Sequence, residues 1–405
     1  MSDANRVQLA YVEESAFGAQ ETGSALQILR YNNESLSHDM ATVVSEELRS
    51  DRQISDIVRV GLSASGDITF ELSYGSHDTL LKSALLSSGW STERKVTNSV
   101  SISASSVDNS FNDAGSGFGN FSAHQWIYVT GFANAANNGF FKLASATAAK
   151  LTVSTGTLVT EAASENITVQ MGSQITNGTT LDSYNFEKDF KDLSNVLALF
   201  KGMCINSLTL NIPADGIITG GFGFIGSAEE ALTATGGSEY TAVTTTKVMT
   251  GANHVPEILE NLSDIAILDL SLSLNNNLRT RMQVGTLGVA SIGVGSIDLT
   301  GSLTLNLANA TLYNKFLNQT VTSIALAVRD TVGNGYVIEL PAVKITSGKR
   351  SAGGINTDVI GEFEFKAYMD STESITIRIA RFPIAAYLES YCNATATVVG
   401  ALTVA

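Results

Sequence analysis

Four histidines are spread along the chain as His38, His77, His124 and His254, and none has a cysteine or a second histidine at metal-ligand spacing. His38-Asp39 and His77-Asp78 are adjacent pairs, but a catalytic dyad needs facing geometry rather than sequence adjacency. His77 and Asp78 are read instead as the corner between a strand and a helix, with Asp78 capping the helix from Thr79 onward. Gly221, Gly223 and Gly226 fit G-x-G-x-x-G, yet the next residues are SAEEALTATGG, too soon broken for the helix that a dinucleotide site requires. Glycines inside an aromatic-bearing strand relieve crowding where neighbours pass close. Glu46, Glu47, Asp51 and Asp56 are close in sequence, but nothing singles out a pair for acid–base work. Trp90 and Trp126 are expected to anchor a core or an interface. No catalytic, cofactor or metal site is expected.

The elements that would position such residues are strands. SGDITFELSYGSHDTLLKSALL (65–86) and TGSLTLNLANATLYNKFL (300–317) share one pattern, in which a glycine opens a strictly alternating strand that leads through small polar residues into a short helix. Ile68, Phe70, Leu72 and Tyr74 fall opposite Asp67, Thr69, Glu71 and Ser73, while Leu303, Leu305 and Leu307 fall opposite Ser302, Thr304 and Asn306. A period of two over this length describes a half-buried antiparallel strand.

Composition agrees with strands. The chain of 405 residues is 44% hydrophobic and only 16% charged, so its polar surface is mostly Ser, Thr, Asn and Gly. Those residues favour strands and turns, and a weakly charged surface is cheap to desolvate against another subunit. The net charge of −15 argues against tight nucleic-acid binding. It is compatible with nucleic acid passing nearby, because a negative wall repels a polyanion. Cys204 and Cys392 make no disulfide framework, and Cys204 continues the alternation of a strand. MSDANRVQLAYVEE lacks the charged start and apolar run of a signal peptide, and no membrane anchor is expected.

Further strands are expected at 25–31, 42–48, 56–60, 183–189 and 204–212, with dense alternation after 256. The excursion from Glu34 to Asp56 carries mixed charge. From Ser99 to about Gly178 charge nearly vanishes and short strands around Trp126, Phe140, Leu151 and 166–171 form a small β module. The fold class is therefore all-β. The division is 1–97 plus 179–228 as a first β-sandwich domain, 98–178 as an inserted module whose removal leaves the flanking patterns able to close, 229–255 as a linker or long loop, 256–390 as a second domain, and 391–405 as a C-terminal arm.

NNESLSHDMATVVSEELRSDRQISDIVRVGLSASGDITFELSYGSHDTLLKSAL, KGMCINSLTLNIPADGIITGGFGFIG, DLTGSLTLNLANATLYNKFLNQTVTSIALAVRD and YVIELPAVKI together, in this order, resemble the major tail tube proteins of long-tailed, siphovirus-like bacteriophages. The resemblance covers most of the chain, and 98–178 departs from the minimal family pattern. It implies duplicated tube-like sandwich domains whose sheets join between subunits around a lumen, a structural virion protein of stacked rings, and a conduit for genome ejection. The inserted module would face outward. Glu34, His38, Glu46, Glu47, Arg49, Asp51 and Arg52 would belong to an inter-subunit loop, and Asp67, Thr69 and Glu71 would face the lumen. Two units per chain favour a trimeric ring of pseudo-sixfold symmetry over a hexameric one. Tape measure, tail terminator and tail-tip proteins are the implied partners, with transient proximity to exiting DNA. The implied location is the virion tail, after synthesis in the host cytoplasm. The alternative reading is a tail-tip, fibre or surface-binding adhesion module.

Overall fold

The computed structural model describes residues 3–384. The expected arm at 391–405, and Cys392 within it, lie outside the described residues.

The chain begins with β1 (Val7–Glu13), β2 (Ala25–Ile28), β3 (Asn33–Glu34), β4 (Ser37–Val44) and β5 (Ile57–Glu71), then α1 (Asp78–Ala84). The module comes next as β6 (Arg94–Ser99), β7 (Ile102–Ser105), β8 (Ser110–Asp113), β9 (Trp126–Thr130), β10 (Gly139–Thr147), β11 (Lys150–Val153) and β12 (Ile167–Met171). After it are β13 (Ser173–Thr176), β14 (Tyr184–Phe190), β15 (Leu197–Pro213), β16 (Thr219–Gly226), β17 (Ala228–Leu232), β18 (Glu239–Thr241) and α2 (Gly251–His254). The stretch expected to be a linker or long loop, 229–255, thus holds two short strands. β17 pairs with β15 and β18 runs parallel to β2. Their sequences are polar because little of either strand is covered.

The chain then runs through β19 (Glu257–Glu260), β20 (Ser263–Asp264), β21 (Asp269–Asn275), β22 (Arg279–Arg281), β23 (Ser291–Gly293), β24 (Asp298–Asn306), α3 (Thr311–Asn318), β25 (Thr322–Arg329), β26 (Gly335–Ala352), β27 (Val359–Ala367) and β28 (Arg378–Phe382).

The two halves pass through one strand order. Phe70, Ile68 and Gly66 of β5 oppose Gly220, Phe222 and Phe224 of β16; Leu305, Leu303 and Gly301 of β24 oppose Gly361, Phe363 and Phe365 of β27. β15 shifts register against β16 between Ile205 and Ser207, and β26 shifts against β27 between Ile345 and Ser347. A second pair of shifts matches as well, at Tyr184/Phe186 of β14 and at Thr322/Ile324 of β25. A bulge bends its strand and increases local twist. β15 and β26 are accordingly the strands that change layers. The start of each pairs with β14 and β17, or with β25 and β28, and the end of each pairs with β16 or β27.

One sheet spans both halves, in the order β4-β5-β16-β15-β21-β24-β27-β26, all antiparallel. Its inner face carries Ile68, Phe70, Leu208, Leu210, Leu272, Leu274, Leu303 and Phe365, all buried in a common core with Leu80, Leu81 and Ala84 of α1. At about 25 cal/mol per Å² of apolar surface, this burial is the main force holding the layers together.

The module forms its own sheet, β6-β12-β9-β10-β11-β8-β7, around Ile102, Phe111, Phe141 and Val169. It does not hang free. Trp126 and Phe140 pack on Leu259, Ala325, Val337, Ala380 and Phe382 of the second half. The expectation that the flanking segments close without the module therefore meets an apolar face that the module covers.

Candidate functional site

The outer face of the continuous sheet is polar from edge to edge. Thr69, Gly221, Thr209, Ser273, Thr300 and Lys366 stand side by side on successive strands, and so do Glu71, Thr219, Asn211, Ser271, Ser302 and Glu364. Period-two alternation places them there, since the intervening residues fill the core. Asp67 and Thr69 are exposed and Glu71 is half-buried, accepting a hydrogen bond from the Asn32 amide at 3.3 Å. The three proposed from sequence as lumen-facing thus lie on one polar face with the seryl and threonyl side chains of both halves. Lys366 pairs with Asp298 at 2.7 Å on the same face, and Lys349 with Glu362 at 3.6 Å.

The glycines of β16 serve this packing. A Cβ at Gly220 would stand 2.4 Å from the Phe70 ring, and one at Gly223 would meet Ser207 and Asp67. β16 lies between two antiparallel neighbours and is succeeded by a strand, so the G-x-G-x-x-G match has no dinucleotide geometry.

The sheet has two outer edges. On one, β3 and β4 have no ladder partner beyond β5 among the described residues. On the other, the end of β26 pairs, among the described residues, with β27 alone. The first edge carries Glu34 and Asp39, the second Lys349 and Arg350. Ser35 N–H turns inward to the Asp67 carbonyl at 2.9 Å, whereas Leu36 N–H bonds the Glu34 carboxylate at 3.0 Å.

The seven residues proposed for an inter-subunit loop divide into two groups. Glu34 is half-buried and paired with Lys188, and His38 Nδ1 accepts the Glu229 N–H at 3.3 Å, so both belong to the sheet body. Glu46, Glu47, Arg49, Asp51 and Arg52 are exposed on the connection between β4 and β5, where Arg49 grips Asp51 with two hydrogen bonds. The strand expected at 42–48 is displaced to Ser37–Val44, and that expected at 56–60 is the start of a longer strand. Sequence reasoning missed the apolar side chains among these charges: Met40, Val43, Val44, Leu48, Ile54, Ile57, Val58 and Val60 are all exposed, Leu48 fully. Val43 lies opposite Val58 and Val44 opposite Ile57 across the hairpin, and exposed apolar side chains gathered in this way mark an interaction site.

The corresponding connection of the second half, 276–297, holds β22 and β23 and does have a partner. It lies back on the first half. Leu62 N–H donates to Leu287 O at 3.1 Å, Ser227 Oγ donates to Val289 O at 3.3 Å, and Val289 and Ile292 pack with buried Cys204. Burial pushes the Cys204 thiol up to about 12, which keeps it unreactive.

Asp78 does not cap α1. Its carboxylate accepts the Tyr336 hydroxyl at 2.5 Å and pairs with Arg381 at 2.7 Å, tying the helix start to the second half. Trp90 stacks over that same Arg381 guanidinium, 4.4 Å from ring to carbon. His77 is buried against Phe70 with Nε2 3.0 Å from Arg30 O, and desolvation lowers its pKa to about 4. It is a neutral core histidine. Where the module meets the second half, Lys142 pairs with Glu339 at 2.5 Å and Glu373 at 2.6 Å, and Arg378 pairs with both at 2.7 Å. Trp126 Nε1 donates to Glu339 at 2.9 Å.

Among the described residues no group of three or more His, Cys, Asp or Glu is placed to hold a metal ion, and no helix is long and apolar enough to cross a membrane. A family model described as phage tail tube protein matches residues 4–367. No curated protein matches the chain.

Proposed function

The chain belongs to the phage tail tube protein family, a structural rather than an enzymatic class found in the virion tail, and on that premise we propose how it closes into rings. Each chain contributes two tube domains, and three chains complete a ring of pseudo-sixfold symmetry. Stacked rings form the conduit for genome ejection. The polar outer face of the continuous sheet, with Asp67, Thr69 and Glu71, lines the lumen. There its carboxylates keep passing DNA from adhering. The module, docked on the opposite layer, then faces outward. The tape measure, terminator and tail-tip proteins are the partners that such a tube requires, and the chain is made in the host cytoplasm.

The observation that carries this reading is the seam between the halves. β15 pairs with β21 from Ser207↔Asn275 to Pro213↔Asp269. β26 is the cognate of β15, and β3 with β4 is the cognate of β21. The two outer edges are therefore the two halves of a second copy of the same seam. Carrying the register across sets Ser347 opposite Asp39 of the next chain, Lys349 opposite Ser37, Ser351 opposite Ser35 and Ala352 opposite Glu34. Lys349 then lies diagonal to Asp39 and Arg350 diagonal to Glu34, a complementary arrangement of charge. By the same transfer the apolar tip of the β4–β5 hairpin lies on the neighbouring chain's second half, as 276–297 lies on the first.

Paired cysteines test the seam. Ser35→Cys with Ser351→Cys occupies a non-hydrogen-bonded antiparallel pair, the closer kind and the one suited to a disulfide. Mild oxidation of assembled tubes should give a non-reducing ladder that ends at three chains. A ladder ending at six overturns the three-chain ring. Tubes visible by electron microscopy without any interchain bond overturn the register, and discrete particles at every salt and protein concentration favour the adhesion reading.

A further inference from the structure

The first half is finished by a strap that the described part of the second half lacks. After β17 the chain returns along β2, with Glu239, Tyr240 and Thr241 paired in parallel to Ala25, Leu26 and Gln27. Arg30 then donates to Thr246 O at 2.6 Å, Thr246 Oγ1 donates to Tyr74 O at 2.7 Å, and Met249 N–H donates to Leu72 O at 2.8 Å. Met249 is wholly buried there.

In the second half the same ground is a groove of about 530 Å³, lined by Ile265, Ile267, Leu305, Leu307, Leu312 and Phe363. β20 is the cognate of β2, because Leu259↔Asp264 and Glu260↔Ser263 repeat Ala10↔Ile28 and Tyr11↔Gln27. Among the described residues β20 has no partner on its other side. In the first half β17 leads into the strap, and in the second β28 leads into the chain end. The sequence of that end repeats the strap's: Tyr240-x-x-x-Thr244-x-Thr246-x-Val248 returns as Tyr391-x-x-x-Thr395-x-Thr397-x-Val399. The spacer from Ala380 to Tyr391 is longer than that from Leu232 to Tyr240, so reach is sufficient.

We propose that this groove is the seat of the chain's own C-terminal segment, residues 391–402. The strap's register sets Cys392 beside Ser263 and Val399 beside Ala308, as Thr241 lies beside Gln27 and Val248 beside Ser73. Gly400 stands in place of Met249, and Val398, Val399 and Leu402 supply the apolar filling. This goes beyond the ring reading and does not depend on it.

The native cysteine makes the test direct. Ser263 is exposed, so Ser263→Cys leaves the core intact. Mild oxidation of the dilute, unassembled full-length variant should give an intramolecular bond from position 263 to Cys392 in most molecules, located by peptide mapping and abolished by Cys392→Ser. Free thiols at both positions overturn the proposal. A bond between chains overturns the own-chain seat and assigns the groove to a neighbour's segment. Hydrogen exchange gives a second reading: ending the chain after Ile384 should speed exchange at 263–267 by at least tenfold, and unchanged rates overturn the docking. Because both readings use unassembled protein, a failure to form tubes has no bearing on either.

Discussion

Glu339→Gln should be among the most damaging conservative substitutions in the molecule. The Glu339 side chain is 1% exposed and meets Lys142 at 2.5 Å, Arg378 at 2.7 Å and the Trp126 indole at 2.9 Å. With Glu373 it balances the two cations, none of the four side chains being more than 9% exposed. Glutamine keeps the shape and removes the charge, leaving one uncompensated cation where water does not reach. Breaking a buried pair in this way costs about 3–5 kcal/mol. Lys142→Met alone leaves the opposite imbalance and should cost a similar amount. The double variant restores neutrality, so it should fall about 2 kcal/mol or more short of the sum of the singles, a coupling expected of contacting charges. Urea unfolding of the unassembled chain, monitored by tryptophan fluorescence, reads both effects, since Trp126 sits on the cluster. A loss below about 1 kcal/mol for Glu339→Gln, the range of solvated surface pairs, would show that the module is not anchored through these charges.

Acid should weaken the fold through His77. Its folded pKa is about 4 against an ordinary 6.5, so the unfolded chain binds the proton first and stability falls as pH drops from about 6.5 to 4. The full loss is about 3 kcal/mol, and His77→Phe should flatten that limb of a pH series of urea midpoints; an unchanged slope would place the titration elsewhere. Gly220→Ala should cost about 1–3 kcal/mol by overpacking, because its Cβ would press on the Phe70 ring, whereas a neutral result in the same unfolding assay would mean that the ring yields freely.

Much of the wall was legible. The alternation of 67–74 and 302–307 identifies β5 and β24, and the burial follows it from Asp67 to Phe70 and through Leu303 and Leu305, whereas Ser73, beyond the end of β5, is buried with Leu72 and Tyr74. The strongest repeat lies in another pair of strands. Gly220-x-Phe222-x-Phe224 returns as Gly361-x-Phe363-x-Phe365, at matching positions of β16 and β27. The G-x-G-x-x-G match begins at Gly221 and leaves out Gly220, which lies opposite Phe70, as its counterpart Gly361 lies opposite Leu305. Alternation marks β15 only from Cys204 onward, because its start has no period of two. Leu197, Ala198, Leu199 and Phe200 are all buried, as the strand is covered on both sides before it changes layers. Asp78 reads as a cap in the sequence because its helix begins beside it, while its actual partners, Tyr336 and Arg381, lie far along the chain. The charge cluster at Glu339 was equally out of reach, since one of its members comes from the module and three from the second half.

The seam between β15 and β21 also bears on how an assembly of this chain would start. That seam is made within one polypeptide, so its register is settled when the chain folds and no translational freedom is lost in forming it. In a ring of three chains only alternate seams would remain for collision to make. The encounter order of nucleation would fall from six bodies to three, and with it the steepness with which the lag before growth depends on protein concentration. The fusion also frees the two halves from being alike. A sixfold wall built this way can carry a threefold exterior, since the module needs to ride on only one of the two tiles.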